Sequence, residues 1–333
     1  MVCAMKKAGV LSILILAVLL ALAVVSEAQQ PKKVPHIGFL SGGSDSIARP
    51  NIDAFLQGLN DLGYVEEKNI RITYRFAEGR VDRLPELVTD LVRLKVDVLL
   101  AGGTPPALAA KQATQTIPVV FVTVADPLRV GLVASFAHPG GNMTGMTTIN
   151  SELTLKRLEL LKETVPTVSQ VAFLRNPSDA SNVLGSLKEL QDAARGLGLV
   201  IRPIDVRYAS EFDAAFSTMT RERVHALIVL AGTLTSTYQK RIVDLATQAR
   251  LPTMYGQSGF VEVGGLMSYA ASFGEQYRRA AVYVAKIIKG TKPVDLPVEA
   301  PMKFELIINL KAAKQIGLTI PPNVLARADK VIK

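Results

Sequence analysis

The sequence predicts an α/β protein of two similar lobes, each a parallel sheet wrapped by helices, with a cleft between the lobes. Residues 34–45 are echoed by residues 168–179, about 134 positions further along the chain. From position 34 onward, short apolar strands alternate with amphipathic helical segments. The length of 333 residues also exceeds what one hydrophobic core usually holds, which favours two lobes over one.

The repeat extends along both halves of the chain. Residues 100–104 recur as 230–233, residues 117–120 as 251–254, and residues 140–143 as 264–267. Repeat arrays have units of only tens of residues. A period this long therefore indicates two lobes of one architecture.

Strands and helices alternate within each predicted lobe. In the first lobe, strands are predicted at 36–40, 70–74, 96–101 and 119–123, and helices near 47–62, 81–94 and 105–114. In the second lobe, a helix near 153–164 precedes strands at 170–174, 200–204, 226–230, 252–255 and 266–269, with helices near 180–196, 210–221 and 235–249.

In the C-terminal part of the chain, the sequence predicts a helix at 274–288, an irregular proline-rich segment, a strand at 304–309 and a short helix at 310–316. We expect the strand to pair back into the first sheet. The predicted boundaries are then a first lobe of 34–147 plus about 290–330, a second lobe of 148–272, and a crossover helix and linker at 273–303. Crossings near 146–150, 270 and 290–303 predict a hinge.

The N-terminus has the pattern of a secretory signal peptide. Lys6 and Lys7 precede an apolar run at 8–25, and small residues at Ser26 and Ala28 suit a cleavage site. The alternative is a retained membrane anchor, because 18 apolar residues nearly span a bilayer. We expect residues 1–28 to be removed as a signal peptide from an exported chain.

The composition argues against several classes of protein. A hydrophobic content of 49% and a charged content of 20% are typical of a folded globular protein. The single cysteine, Cys3, precedes the apolar run, so the mature chain has no disulfide or thiolate. The net charge of +9 comes from residues scattered over helices, such as Lys156 and Arg157. We expect them to form a solvated basic surface, with no nucleic-acid partner.

Sequence signatures of catalysis are missing. His36, His138 and His225 lie on unrelated elements and have no metal-ligand spacing. The chain has no G-x-S-x-G elbow and no phosphate-binding G-x-x-x-x-G-K-[ST] loop. We therefore expect no enzyme activity, no cofactor and no metal.

Loops at the carboxyl ends of parallel strands are where open α/β sheets bind ligands. Ser41 and Gly42 follow the first strand, where a glycine lets the backbone approach a ligand. The alternative is a simple helix cap at this loop. Thr104 and Pro105 open a predicted helix whose free N–H groups suit a carboxylate or phosphate.

Further candidates follow the fourth strand of the first lobe. Asp126 can pair with a ligand ammonium, although Asp126-Pro127 is also a common turn. Asn142 and Thr144, in a nearby glycine-rich loop, would add a second polar pair at the rim.

The second lobe offers a corresponding set. Asn176, Gly232 and Thr233 lie in loops after predicted strands, and Tyr255 and Tyr269 offer flat apolar faces with a hydroxyl. The alternative for both tyrosines is half-buried packing.

In its ordered motifs the chain resembles the extracytoplasmic substrate-binding proteins of ABC transporters, in the subgroup associated with tryptophan and tyrosine transport. The resemblance covers residues 34–330. Stretches that carry it include Ile37-Gly-Phe-Leu, Gly103-Thr-Pro, Asp126-Pro, Pro139-Gly-Gly-Asn-Met-Thr-Gly145, Arg157-Leu-Glu-Leu-Leu, Gly264-Gly-Leu-Met-Ser-Tyr269 and Lys303-Phe-Glu-Leu-Ile-Ile-Asn309.

The resemblance implies a type I periplasmic-binding fold, with two Rossmann-like lobes, three crossovers and a ligand enclosed on closure. It implies an amino-acid-like ligand, aromatic in some members. Ser41 and Thr104 would hold the carboxylate and Asp126 the ammonium, while Asn176 and the two candidate tyrosines would close the other side.

The resemblance also implies a periplasmic monomer that delivers its ligand to an inner-membrane ABC permease with a cytoplasmic ATPase. A sensory receptor of the same fold, feeding a signalling partner, is the alternative. A secreted hydrolase or transferase is disfavoured by the missing catalytic signatures.

Overall fold

The structure, a computed structural model, describes residues 33–179 and 187–333. The expected signal peptide at 1–28 and the first part of the helix predicted at 180–196 lie outside these residues. Within the two described ranges, no helix has the length and the hydropathy of a membrane span.

The first sheet has five parallel strands in the order β2-β1-β3-β4-β5. They are β1 (His36–Ser41), β2 (Arg71–Phe76), β3 (Val98–Gly102), β4 (Val119–Val124) and β5 (Met143–Thr147). The helices between them are α1 (Asp45–Asp61), α2 (Leu84–Arg93) and α3 (Thr104–Ala113).

The second sheet has seven strands in the order β12-β11-β10-β9-β8-β6-β7. In chain order the elements are α4 (Asn150–Thr164), β6 (Gln170–Arg175), α5 (Leu187–Gly196), β7 (Val200–Asp205), α6 (Phe212–Arg221), β8 (Ala226–Val229), α7 (Thr233–Thr237), α8 (Gln239–Gln248), β9 (Thr253–Tyr255), α9 (Gly259–Glu262) and β10 (Met267–Ala271). The chain ends with α10 (Phe273–Ile288), β11 (Phe304–Asn309), α11 (Leu310–Gln315), α12 (Pro322–Leu325) and β12 (Lys330–Ile332).

The repeat seen in the sequence corresponds to a repeat in topology. The parallel part of the second sheet, β7-β6-β8-β9-β10, has the same strand order as the whole first sheet. The echoed segments at 34–45 and 168–179 contain β1 and β6, and those at 117–120 and 251–254 lead into β4 and β9. The predicted α/β fold with two lobes is therefore confirmed.

Burial on both faces explains the apolar strands of the first sheet. All six residues of β1 are buried. On one face, Phe39 packs with Ile52 and Phe55 of α1 in a shared core. Ser44 caps helix α1, since its hydroxyl accepts a hydrogen bond from the Ile47 N–H, so a helix cap does occupy the loop after β1.

Helix α10 follows the second lobe in sequence but packs in the first. Gly58 of α1 lies so close to it that an added Cβ would stand 2.7 Å from the Arg278 carbonyl oxygen. Tyr277, Ala281 and Val284 of α10 join the core formed by β1 and α1. The chain thus returns to the first lobe after β10, at the predicted second crossing.

The predicted destination of the tail is wrong. Strand β11 pairs antiparallel with β10, with Met267 opposite Ile308, so residues 304–309 extend the second sheet. At the outer edge of β5 the first sheet is bonded to the backbone of Glu299 instead of to β11. The Glu299 carbonyl accepts from the Thr147 N–H at 3.0 Å, and the Glu299 N–H donates to the Gly145 carbonyl at 3.0 Å. The assignment of about 290–330 to the first lobe therefore fails for its last part, and the third crossing lies between Glu299 and Phe304.

An ion pair fixes the segment that leads into this third crossing. Arg279 on α10 donates from Nε and Nη2 to the Glu299 carboxylate at 2.7 and 2.6 Å. The Tyr283 hydroxyl lies 3.0 Å from the same carboxylate. Hydrogen bonds from Arg279 hold the pKa of Glu299 below its ordinary value of 4.5.

We expect Glu299→Gln to lower the free energy of unfolding at pH 7 by about 1 kcal/mol, a value that allows for partial exposure. Because the folded-state pKa is depressed, the pair contributes its full stability above pH 4.5 and loses it as the pH falls through that pKa. Urea unfolding at several pH values should show the difference between variant and wild type disappearing in acid. Asp82→Asn, which breaks an exposed pair with Arg80, is the control and should change little. A Glu299→Gln deficit that persists undiminished in acid would contradict this account.

Candidate functional site

A cavity of about 100 Å³ lies between the two sheets, at the carboxyl ends of their strands. The first lobe contributes residues that follow β1, β3, β4 and β5, and the second contributes residues at the ends of β8, β9 and β10. Residues at the start of α1, α4, α7 and α10 complete the lining. Any ligand held here therefore touches both lobes.

The two lobes meet at small residues on the rim of this cavity. A Cβ added to Gly42 would stand 2.8 Å from Thr233 Cγ2 and 2.9 Å from its Oγ1. A Cβ added to Gly79 would stand 3.3 Å from Thr237. Both threonines belong to α7 of the second lobe, so glycines in the first lobe allow the lobes to come into contact.

The first-lobe wall combines exposed backbone with the phenol of Tyr277. Gly103 has a φ of +100° and Thr123 a φ of +57°, values that turn the chain sharply after β3 and in β4. The Tyr277 hydroxyl lies against Gly102, where an added Cβ would stand 2.3 Å from it. Burial raises the pKa of Tyr277, a shift partly offset by the Thr123 side chain. The phenol is therefore neutral, and its hydroxyl is hydrogen-bonded to the Thr123 side chain at this wall.

The second-lobe wall contains a buried cation, Arg157 of α4. It is 1% exposed, and its Nε donates to the Tyr269 carbonyl at 2.8 Å. Gly256 leaves room for the guanidinium, since an added Cβ there would stand 3.5 Å from Arg157 Cζ. Burial lowers the pKa of Arg157 to about 9, so it remains charged at neutral pH. The expectation that Arg157 belongs to a solvated surface is wrong, because α4 turns this residue inward toward β10.

Two hydrogen bonds shape the loops of the second lobe around the cavity. The Thr233 N–H donates to Asp179 Oδ2 at 2.7 Å, and Asp179 is only 2% exposed. The Ser236 hydroxyl donates to Gln257 Oε1 at 2.9 Å. These contacts tie the start of α7 to the loops after β6 and β9.

Four of the residues selected from the sequence line the cavity. Ser41 and Gly42 do so from the first lobe, and Gly232 and Thr233 from the second. The two pairs do not occupy corresponding positions in their lobes, because the first pair follows β1 and the second follows β8. They face each other across the rim.

Thr104 and Pro105 lie behind the cavity wall rather than in it. Both are buried, and neither is a lining residue, whereas the adjacent Gly103 is. Thr104 Oγ1 accepts a hydrogen bond from the Ala125 N–H at 3.1 Å. Its hydroxyl thus holds the loop after β4 in place.

Asp126 and Pro127 form a turn outside the cavity. The Asp126 carboxylate accepts from the Arg129 N–H at 3.0 Å and from Arg129 Nε at 3.2 Å. The Pro127 carbonyl accepts from the Leu132 N–H at 2.8 Å. The turn, the alternative considered for this dipeptide, is what the structure contains, and the carboxylate points to Arg129.

Asn142 and Thr144 also lie away from the cavity. Asn142 donates from Nδ2 to the Ile117 carbonyl at 2.7 Å, and Thr144 donates to the Leu296 carbonyl at 2.7 Å. Their segment was expected to be a rim loop, but it runs into strand β5. Asn142 precedes that strand, so it lies at the amino end of the sheet, opposite the cleft.

The remaining second-lobe candidates are used in turns and packing. Asn176 Oδ1 accepts from the Ser178 N–H at 2.9 Å within the turn after β6. Tyr255 is 1% exposed and stacks on Phe260, with ring centroids 4.6 Å apart. The Tyr269 ring packs 6.0 Å from that of Phe304. Both tyrosines therefore pack against neighbouring rings, which is the alternative considered for them.

The aromatic faces of the cavity come instead from Phe273 and Tyr277. They are four positions apart at the start of α10, and therefore on one face of the helix. The sequence contained this i,i+4 pair, directly after a predicted crossing between lobes. That position is the signal that marks them as cleft residues.

Among the described residues, no group of three His, Cys, Asp or Glu side chains could hold a metal ion. The site is therefore described by hydroxyls, backbone groups, aromatic faces and one guanidinium.

Comparison with known proteins agrees with this architecture. The family model described as ABC transporter substrate binding protein matches residues 39–332. The chain belongs to this family. A tyrosine-binding protein from Clostridioides difficile (strain R20291) is 26% identical over 291 residues, covering 86% of this chain and 82% of the relative.

Solved structures of substrate-binding proteins have the same fold. A Streptococcus pneumoniae ABC domain in complex with L-Trp matches with a TM-score of 0.81 and 26% identity, over 90% of this chain and 99% of that one. The ligand-free, open structure of a Clostridium difficile substrate-binding protein with adhesive properties matches with a TM-score of 0.64 and 24% identity, over 90% of this chain and 100% of that one.

Proposed function

We propose that this chain is the extracytoplasmic solute-binding component of an ABC importer, and that it captures a small amino-acid-like ligand by closure of its two lobes. The cavity between the sheets carries this proposal, because its lining comes from both lobes. Membership of the substrate-binding family supports it.

Closure requires a ligand that binds the closed arrangement better than the open one. The contact of Gly42 with Thr233 favours this mechanism, since it brings opposite walls together around the cavity. The three crossings near 148–150, 272 and 299–304 supply the hinge about which such lobes rotate.

An amino-acid-like ligand fits the chemistry of the lining. Ser41, Thr233 and the Tyr277 phenol offer polar groups, while Ile47 and Phe273 offer apolar surface. The relatives named for tyrosine and L-Trp support the same class. A cavity of about 100 Å³ is smaller than the ~150 Å³ that encloses a benzene ring. In the arrangement seen here, the cavity therefore fits a small amino acid better than an aromatic one.

The setting is proposed on the same basis. The pattern at residues 1–28 is that of a cleaved signal peptide, which would place the mature chain in the periplasm. There it would deliver its ligand to an inner-membrane permease driven by a cytoplasmic ATPase.

To test the function, residues 29–333 are purified, stripped of bound solute by unfolding and refolding, and melted with each of the twenty common L-amino acids. A ligand that binds only the folded chain raises its stability by about 2.7 kcal/mol at a hundredfold excess over Kd. We expect a clear rise in Tm with one chemical group of amino acids, and recovery of the unaltered compound after incubation. No rise with any amino acid would contradict the ligand class, and chemical conversion of the ligand would contradict the receptor function.

A further inference from the structure

We propose that this site selects an amino acid with a small side chain, of the size of alanine or serine, and that the ring of Phe273 sets this limit. The inference rests on the proposed function, whose ligand class it narrows. It departs from the aromatic ligands of the tyrosine-binding relative and of the structure in complex with L-Trp.

The size of the cavity is the first argument. Its volume of about 100 Å³ is below the ~150 Å³ of a cavity that encloses benzene, and an aromatic amino acid adds a carboxylate and an ammonium to such a ring. Alanine has only as many non-hydrogen atoms as benzene. Charged hydrogen-bonded atoms approach to about 2.7–2.9 Å, whereas carbon atoms stay about 3.5–4.0 Å apart. A small zwitterion therefore needs less room than benzene does.

The two lobes already touch around this volume, so further closure is blocked at the rim. A Cβ added to Gly42 would stand 2.8 Å from Thr233 Cγ2, and one added to Gly79 would stand 3.3 Å from Thr237 Cγ2. A ligand that fits the cavity leaves both contacts in place. A larger ligand separates the lobes and loses them, so the contacts between lobes favour small ligands.

The glycines of the lining do not give a larger ligand more room. The Tyr277 hydroxyl occupies the space over Gly102, where even a Cβ would not fit, and its hydrogen bond to the Thr123 side chain holds it there. Thr233 occupies the space over Gly42 in the same way. The protein's own side chains thus cover the parts of the wall that a ligand ring would otherwise reach.

Phe273 is the aromatic side chain that can set the limit without supporting the core. Tyr277 is 5% exposed and belongs to the core of the first lobe, where its ring centroid lies 6.3 Å from that of Phe39. Phe273 also lines the cavity but is only half-buried. It is the first residue of α10, directly after Ser272, whose hydroxyl caps the helix by accepting from the Glu275 N–H at 3.3 Å.

A series of ligands graded by size tests the limit in the wild-type protein. Residues 29–333, stripped of solute, are titrated by calorimetry with glycine and with L-alanine, L-serine, L-valine, L-leucine, L-phenylalanine, L-tyrosine and L-tryptophan. We expect the tightest binding with alanine or serine. The three aromatic amino acids should bind about 10- to 100-fold more weakly, as for overpacking of a closed site.

Phe273→Ala tests the assigned residue by a gain of binding. The substitution removes a phenyl ring from the lining, and this is the space that an aromatic ligand requires. We expect L-phenylalanine to bind this variant at least about tenfold more tightly than it binds wild type, while alanine and serine bind a few-fold more weakly because of the gap beside them. Phe273→Leu should lie in between and is the second variant if Phe273→Ala does not fold.

Phe304→Ala is the matched control. It removes the same ring outside the cavity, where Phe304 packs against Tyr269 with ring centroids 6.0 Å apart, and it should keep the wild-type order of affinities.

The possible failures are distinguishable. Leucine or an aromatic amino acid binding wild type as tightly as alanine and serine would overturn the size limit and leave the proposed function intact. A wild-type order of affinities in both Phe273 variants would overturn the role of this residue. A failure of every amino acid to bind wild type would overturn the inference and the proposed ligand class together.

Discussion

Replacing Gly42 with valine is expected to hold the lobes apart and to weaken ligand binding at least about tenfold. The reason is the contact across the rim, where even a Cβ at position 42 would stand 2.8 Å from Thr233 Cγ2. Overpacking of this kind costs about 1–3 kcal/mol, and in a two-lobed protein the closed arrangement bears that cost because the open one lacks the contact. Calorimetry gives the affinity, and small-angle scattering gives the lobe separation.

A second substitution, at Thr233, tests the same contact between the lobes. In Gly42→Ala the new Cβ meets the Thr233 side chain, but with Thr233→Ala as well its nearest neighbour is the Cβ of residue 233, at 3.4 Å. We expect the single variant to have a larger radius of gyration with ligand present, and the double variant to return toward wild type. Unchanged affinity and unchanged scattering in Gly42→Val would contradict contact between the lobes at this point.

The largest expected loss of stability follows from Gly145→Ala in β5. An added Cβ would stand 1.9 Å from the Phe121 carbonyl oxygen, and the φ of +152° is one that residues with side chains rarely adopt. The pairing of β4 with β5 shifts its register just beyond Phe121, so this close approach is part of the sheet. We expect a loss of about 3 kcal/mol or more and a fall in Tm of about 5–10 °C.

Gly196→Ala provides the control for this substitution. Gly196 ends α5, and an added Cβ would meet nothing within 4 Å. Its effect should stay within about 0.5 kcal/mol, as for most surface changes. Thermal melts monitored by circular dichroism compare the two, and a Gly145→Ala melt within 1–2 °C of the control, about the scatter of an ordinary surface change, would show that the strand relaxes around the new side chain.

The fold was predictable to the extent that it depends on local pattern and on repetition. Strand β11 was predicted with its observed bounds, Phe304–Asn309, yet its partner was not. A strand's apolar pattern records that it is buried but carries no information about which edge it joins. Edge strand β5 was missed because a glycine and two threonines interrupt its apolar pattern, although Gly145 is the residue that its close approach to β4 requires.

The site was predictable where the rule that ligands bind at strand ends is sufficient, as at Ser41 and Thr233. It was not predictable where a lining residue reaches the cleft from a helix. A basic residue on an amphipathic helix is usually solvated, so the sequence predicts a surface position for Arg157, which lines the cavity instead. Tyr277 enters the first-lobe wall only because α10 returns from the second lobe, a contact between parts of the chain far apart in sequence.

The central claim is that the cavity binds its ligand by bringing the two lobes together. The most direct test is the radius of gyration of residues 29–333, stripped of solute and titrated with the amino acid that raises Tm most. We predict a decrease that saturates at the concentration given by the calorimetric Kd. Binding that saturates by calorimetry while the radius of gyration stays constant would contradict the claim.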